Sequence, residues 1–388
     1  MCLMMKFEGR LLFAVMMKAK LYFLIILTVL SFFFVSCSDG KLDRYYFNKS
    51  SDPILLYVNN GKIILNDGDN VVLEREGKLY KIPNISYDFR KDNSVFLPSC
   101  DGNYAIIGNI DNPYVVNLND GSKTEIDKDI ILYTTKYYPW SADNKFLTLA
   151  EGNTIKIVDL RTLKTNTKNL DVEAQNAIFI GSLLYFESKG KIYKIANDSQ
   201  PKFITNGYLL SVDDKYNIYL YRNLNMKETK IYKVDKHGSE KEIAYIDEPV
   251  VYNRIYGNLF IAMTKGDKGM RYADYELINL KTSKHITIKN GSGNIDVFPV
   301  LSRNGDISIK FVSSDYTELI DTRDGTSKIL KNFIPYTDSD RKFSIDIYRN
   351  IPLDLNEIVQ IKKDENGFSI VSVDTDNKKN KTIADFKY

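Results

Sequence analysis

The sequence predicts an all-β ring of repeated four-stranded sheets, a β-propeller, on three observations. First, aromatic and β-branched residues dominate, with 27 Tyr and 20 Phe in 388 residues, and such side chains suit half-buried pleated surfaces. Second, short apolar runs, often closed by Asp or Asn, return at Tyr80, Val115, Ile157, Tyr193, Tyr232, Leu277, Leu319 and Ile370. Their intervals of 35, 42, 36, 39, 45, 42 and 51 residues average about 41, within the roughly 40–45-residue period of a four-stranded blade. Third, nothing after residue 36 sustains a helical period. Eight four-stranded blades over residues 53–388 fit the markers, with seven longer blades as the alternative. A lone blade cannot bury both faces; closing a ring stacks blade on blade and leaves only short edges.

Residues 1–36 stand apart. Lys18 and Lys20 precede Leu21–Val35, LYFLIILTVLSFFFV, which is almost continuously apolar. A basic start and a short apolar run describe a secretory signal, and the run is short for a membrane span of about 20 residues. Phe34-Val35-Ser36-Cys37 resembles a bacterial lipobox, in which the cysteine is lipidated and becomes residue one; Phe34 stands where Leu is usual. The resemblance implies that residues 1–36 are a lipoprotein signal peptide and Cys37 the lipidation site; the alternatives are an ordinary signal peptide with a chance cysteine and an uncleaved signal anchor. Two kinds of acyl chain, each buried CH₂ worth about 0.8 kcal/mol, anchor a protein stably. Residues 37–52 read as a polar tether, in which Tyr45-Tyr46-Phe47 can add a strand to the sheet that follows.

Within the repeats, the residues between strands are turn formers. Ser99-Cys100-Asp101-Gly102, Ser141-Ala142-Asp143-Asn144, Ser211-Val212-Asp213-Asp214, Ser302-Arg303-Asn304-Gly305 and Thr337-Asp338-Ser339-Asp340 each precede a second strand. Asx side chains bond their own backbone, and Gly or Asn accepts positive φ. Asp120-Gly121, His237-Gly238 and Asp324-Gly325 announce the hairpin into a fourth strand. Arg349–Leu355 reads as an insertion loop in the last unit.

These units resemble the WD40-like repeats of TolB-type propellers, roughly P-x-W-S-P-D-G-K, an apolar strand, then I-Y-x-x-D-L. Pro139-Trp140-Ser141 with Asp143, Lys145, Ile157, Asp159 and Leu160 carry the likeness best. Pro299 with Ser302, Asn304-Gly305 and Asp321, and Pro98-Ser99 with Asp101-Gly102, follow. The likeness spans residues 53–388 and implies a fold. The α/β domain that precedes the repeats in TolB has no counterpart here.

Charge argues against nucleic acid as a partner. The formal net charge is +3, and Lys6, Arg10, Lys18 and Lys20 against Glu8 account for all of it. The remainder is neutral, without an electrostatic footprint for phosphates.

No residue stands out as catalytic. His237 falls in a turn and His285 opens a last strand, both at blade edges rather than the channel. With two histidines and no His/Cys cluster, a zinc site is not expected. Asp67-Gly68-Asp69 and Asp374-Thr375-Asp376-Asn377 lack the ligand series of a calcium loop, so no metal and no cofactor are expected. Trp140 is either a sugar-stacking platform or blade packing, and its place in the repeat favours packing. Cys100 is a lone thiol with no visible base to activate it. The sequence thus points to a lipoprotein of a bacterial cell envelope, at the outer membrane or cell surface rather than the inner membrane. Its propeller is expected to bind a protein, peptide or glycan through one ring face, without catalysis. The alternative is a glycan hydrolase or lyase built from channel carboxylates and tyrosines.

Overall fold

The structure, a computed structural model, describes residues 43–47, 53–59, 61–68, 70–86, 94–109, 112–126, 136–196, 199–225, 227–265, 272–290, 295–300, 303–313, 316–331 and 350–387. Cys37, the apolar leader and the turn at Thr337 lie outside these residues. Eight antiparallel sheets form an eight-bladed β-propeller. Blades 1 to 8 span residues 54–86, 94–125, 140–169, 176–206, 208–246, 250–288, 296–331 and 350–387. Each is a meander in which strand follows strand. The seven-bladed alternative is therefore set aside.

First strands pack against first strands of the neighbouring blades, as in blades 4 and 5 or 1 and 8, which puts them nearest the axis. Fourth strands lie outermost: Lys164–Asn169 is exposed at nearly every position. The core is a chain of apolar layers between blades. Ile178, Ile180, Tyr185 and Ile192 of blade 4, for example, meet Leu209, Val212, Ile218, Leu220 and Val234 of blade 5. Burial of these alternating positions is the main force closing the ring.

Two local expectations need correction. Tyr80 does not mark a third strand: it lies in Lys78–Ser86, the fourth strand of blade 1, and the third is Asn70–Arg75. Both runs alternate, and only pairing partners distinguish them. Arg349–Leu355 is not simply an insertion, because Asn350–Pro352 forms the first strand of blade 8, with Ile351 against Val359. A three-residue strand ending in Pro carries the local signature of a loop. In blade 3 the first strand is reduced to one bridge, Trp140 to Leu147.

The turns do what their residues dictate. Ser99 Oγ donates to Asp101 Oδ1 at 2.6 Å and accepts from Tyr104 N at 3.1 Å. Ser141 Oγ donates to Asp143 Oδ1 at 2.7 Å and accepts from Phe146 N at 3.0 Å. Asp or Asn at the end of several third strands caps the next turn: Asp159 accepts from Arg161 N and Thr162 N, and Asn279 from Lys281 N and Thr282 N.

Among the described residues, no strand is exchanged between blades 1 and 8 where the ring closes. The N-terminal segment bridges them instead. Asp43–Arg44 adds a fifth strand beside Tyr80 and Lys81 of blade 1. Tyr45 N donates to Leu79 O at 2.8 Å, and Tyr45 Oη donates to Asp67. Phe47, 3% exposed, then packs edge-on against Phe368 of blade 8 with ring centroids 4.9 Å apart. Part of the stretch read as tether is thus a clasp, begun by Asp43–Arg44 rather than by Tyr45-Tyr46-Phe47.

Candidate functional site

The ring is pinched across its middle. The chain entering blade 3 reaches blade 6: Ile255 N donates to Lys136 O at 3.1 Å, and Tyr138 meets Tyr256 edge-on at 4.9 Å. Blade 2 likewise reaches blade 7, where the Cys100 thiol donates to Asn304 Oδ1 at 2.8 Å and lies 3.0 Å from Tyr138 Oη. Tyr57 of blade 1 backs this bar, with its hydroxyl 3.5 Å from Cys100 O. Two glycines make the approach feasible. At Gly102 (φ 64°) a Cβ would run into the Tyr57 ring, and at Gly257 (φ 55°) it would overlap Asn304 Oδ1. Neither conformation suits a residue with a Cβ.

On either side of the bar lies a cavity, and Asn304 lines both. The larger, about 690 Å³, is lined from blades 2, 3, 5, 6 and 7, with Trp140, Asn144, Ser211, Asp213, Lys215 and Lys281 among its walls. The smaller, about 310 Å³, lies among blades 7, 8 and 1 and is lined by Asn59, Arg303, Asp306, Arg323, Leu353 and Asp354. Volumes of about 300–1,000 Å³ are those of small-ligand pockets. The larger one is the candidate site.

Its reactive side chains are committed to structure. Burial pushes the Cys100 thiol up to about 11, partly offset by the Tyr138 hydroxyl, so the nucleophilic thiolate is scarce at neutral pH. Burial and the adjoining thiol hold Tyr138 well above the ordinary phenol value. Asp213 accepts from Lys215 N at 3.0 Å, Asn217 N at 2.8 Å, Asn217 Nδ2 at 2.7 Å and Tyr219 Oη at 3.2 Å. It is the acceptor of a turn. Asp214, the other carboxylate in the wall, is exposed.

In the smaller cavity Arg303 donates to Leu353 O and, at 3.2 Å, to Asn59 Oδ1, joining blade 7 to blades 8 and 1. Arg323 forks onto Asp321. Arg303 thus joins three blades, while Arg323 is held within its own turn.

The residues singled out in the sequence are placed as follows. Trp140 is 3% exposed, in a cluster with Leu97, Leu147 and Val158; it packs blades and presents no open ring face to a sugar. His237 is exposed and its backbone N donates to Asp235. His285 Nε2 lies 2.7 Å from Glu276 Oε2 on an outer strand. Asp67 and Asp374 cap turns. Of these, Cys100 and Trp140 line the candidate site. Lys215 and Lys281, unremarkable in sequence, come together only because two loops of different blades face one cavity.

A further buried carboxylate lies away from the cavity. Glu187 is 1% exposed; its Oε2 accepts from Leu209 N at 3.2 Å, while Oε1 has no hydrogen-bond partner among the described residues. Burial pushes this carboxyl up to about 7, against the pull of Leu209 N and Lys136.

No protein-family model matches the chain, and no curated protein matches its sequence. Solved structures do. An uncharacterised protein of Listeria monocytogenes EGD-e is 13% identical, covering 78% of this chain and 100% of that one, with a TM-score of 0.45. One of two prolyl endopeptidases is 13% identical over 87% of this chain and 56% of its own, TM-score 0.43. Dipeptidyl peptidase 4 of Porphyromonas gingivalis is 12% identical over 83% and 55%, TM-score 0.41. The chain thus spans about half the length of these peptidases, and the similarity is one of fold.

Proposed function

We propose that this protein is a lipid-anchored, TolB-like propeller of the bacterial cell envelope that binds a partner in the cavity beside the pinched axis, without catalysis. The observation that carries the binding reading is the cavity itself. It is of small-ligand size; its thiol is neutral, its phenol Tyr138 is buried, and of its two carboxylates Asp213 is saturated by its own turn, which leaves Asp214 as the single free carboxylate in the wall. General acid–base work needs a titrating group within reach of the substrate, and glycoside hydrolysis needs two free carboxyls facing one bond. The anchor reading rests on the apolar leader and the Phe34-Val35-Ser36-Cys37 motif, and the outer membrane or cell surface is the location proposed.

The test is capture from solubilised envelope with the intact, acylated protein as bait. A reproducible partner lost on Asn258→Trp, which fills the cavity, is the expected result. Turnover of a glycan or peptide by the purified protein would overturn the non-catalytic reading. Mass spectrometry of wild type against Cys37→Ala tests the anchor separately: acylation must disappear with the cysteine.

A further inference from the structure

The walls of the larger cavity are rich in donors. Lys215 comes from the turn after the first strand of blade 5, Lys233 from its third strand, and Lys281 from the last turn of blade 6, and all three line the same space. Lys233 lies 3.9 Å from Asp213 and over the Tyr219 ring at 5.4 Å. Asp213 itself is already taken up by turn donors and Tyr219. Lys215 and Lys281 are exposed, and no ion pair involves either among the described residues. The one remaining carboxylate in the wall is that of Asp214.

The aromatic rings are of no use to a sugar. Tyr138, Trp140 and Tyr219 line the cavity, but Trp140 and Tyr219 are 3% and 5% exposed, and Tyr138 packs on Tyr256. Stacking recognition needs an open ring face. Lysine ammonium groups and amide side chains remain, a set that matches carboxylates and backbone amides.

We infer that the cavity takes an acidic peptide segment, its carboxylates on Lys215, Lys233 and Lys281 and its backbone against Asn144, Asn258 and Ser211. This rests on the cavity being the binding site. It adds the ligand class.

The chain carries one tryptophan, and Trp140 borders the cavity, so its emission reports occupancy directly. The full chain is titrated with blocked tetraglutamate, tetraserine and tetralysine peptides, and with trigalacturonate as the glycan arm. A saturable change with tetraglutamate is expected. It should weaken as salt is raised, and weaken roughly tenfold or more in Lys215→Glu/Lys281→Glu, two charge-assisted contacts being lost. Lys215→Gln/Lys281→Gln should give a smaller loss, and both variants should keep the wild-type melting midpoint. No response to tetraglutamate, an equal response to tetraserine, or an unaffected double variant overturns the acidic preference. A response to trigalacturonate alone reassigns the site to an acidic glycan and overturns the peptide assignment. Binding of a neutral peptide that Asn258→Trp abolishes would leave the cavity a binding site while removing its charge selectivity. If no partner of any kind is captured, both readings fall.

Discussion

Cys100 of blade 2 and Asn304 of blade 7 meet sulfur to amide oxygen at 2.8 Å across the middle of the ring. With Tyr138 against Tyr256 at 4.9 Å, this contact stands between the two described cavities, both lined by Asn304. The divider is small, and its energetics are accessible one residue at a time.

The thiol itself gives the first expectation. With Cys100 pushed up to about 11 by burial, alkylation at pH 8 should be at least roughly tenfold slower than for a free cysteine, whose pKa is about 8.5. Denaturant should restore the ordinary rate. Peptide-resolved mass spectrometry separates Cys100 from Cys2 and Cys37. Fast labelling in the native state would show that the bar opens readily.

Gly257→Ala should destabilise by about 1–2 kcal/mol or more, since φ is 55° and the new Cβ would strike Asn304. The second part is specific to the bar. In the Asn304→Gly background the same change should cost less, and a double-mutant cycle by denaturant unfolding should show a nonzero coupling. Strict additivity would mean that the backbone conformation alone sets the cost.

Phe47→Ala removes the ring that joins the N-terminal clasp to Phe368. Loss of a fully buried Phe costs about 3–5 kcal/mol. Hydrogen exchange should accelerate first in blades 1 and 8, whose shared core includes Leu55, Leu65, Ile358 and Ile370, with blades 4 and 5 little changed. Uniform acceleration would show that the clasp is not local to the seam.

Glu187 sets a pH dependence. Its carboxyl lies at about 7 in the folded protein against an ordinary 4.5, so the folded state binds the extra proton and stability falls as pH rises between those values. Below about 4.5 both states are protonated and the penalty vanishes; above 7 it is fully present, at most about 3 kcal/mol. Glu187→Gln should therefore raise the denaturation midpoint at pH 8 and leave it nearly unchanged at pH 4.5. An equal effect at both pH values would place the cause in packing rather than in the proton.

The blade period and the turns were open to reading because they are local. A Ser-x-Asp turn or an Asp after a strand satisfies its own backbone within five residues, as Ser99 with Asp101 and Ser141 with Asp143 do. Spacing favoured eight units over seven, and the eight sheets of the structure decided it. Misreadings arose where pairing outranked pattern. Tyr80 sits in an alternating run like those of true third strands, and Asn350–Pro352 has too few residues to announce itself.

The sequence by itself determined the repeating sheet, its period and the chemistry of its turns, because each is dictated by side chains close to one another along the chain; the structure decided between eight units and seven. Only the tertiary structure decided what occupies the axis. Cys100 and Asn304 are 204 residues apart, Lys215 and Lys281 belong to different blades, and Phe47 reaches Phe368 across the closing seam. Such meetings depend on how far the ring is pinched, and that depends on the sum of apolar contacts between blades, which no single stretch of sequence encodes.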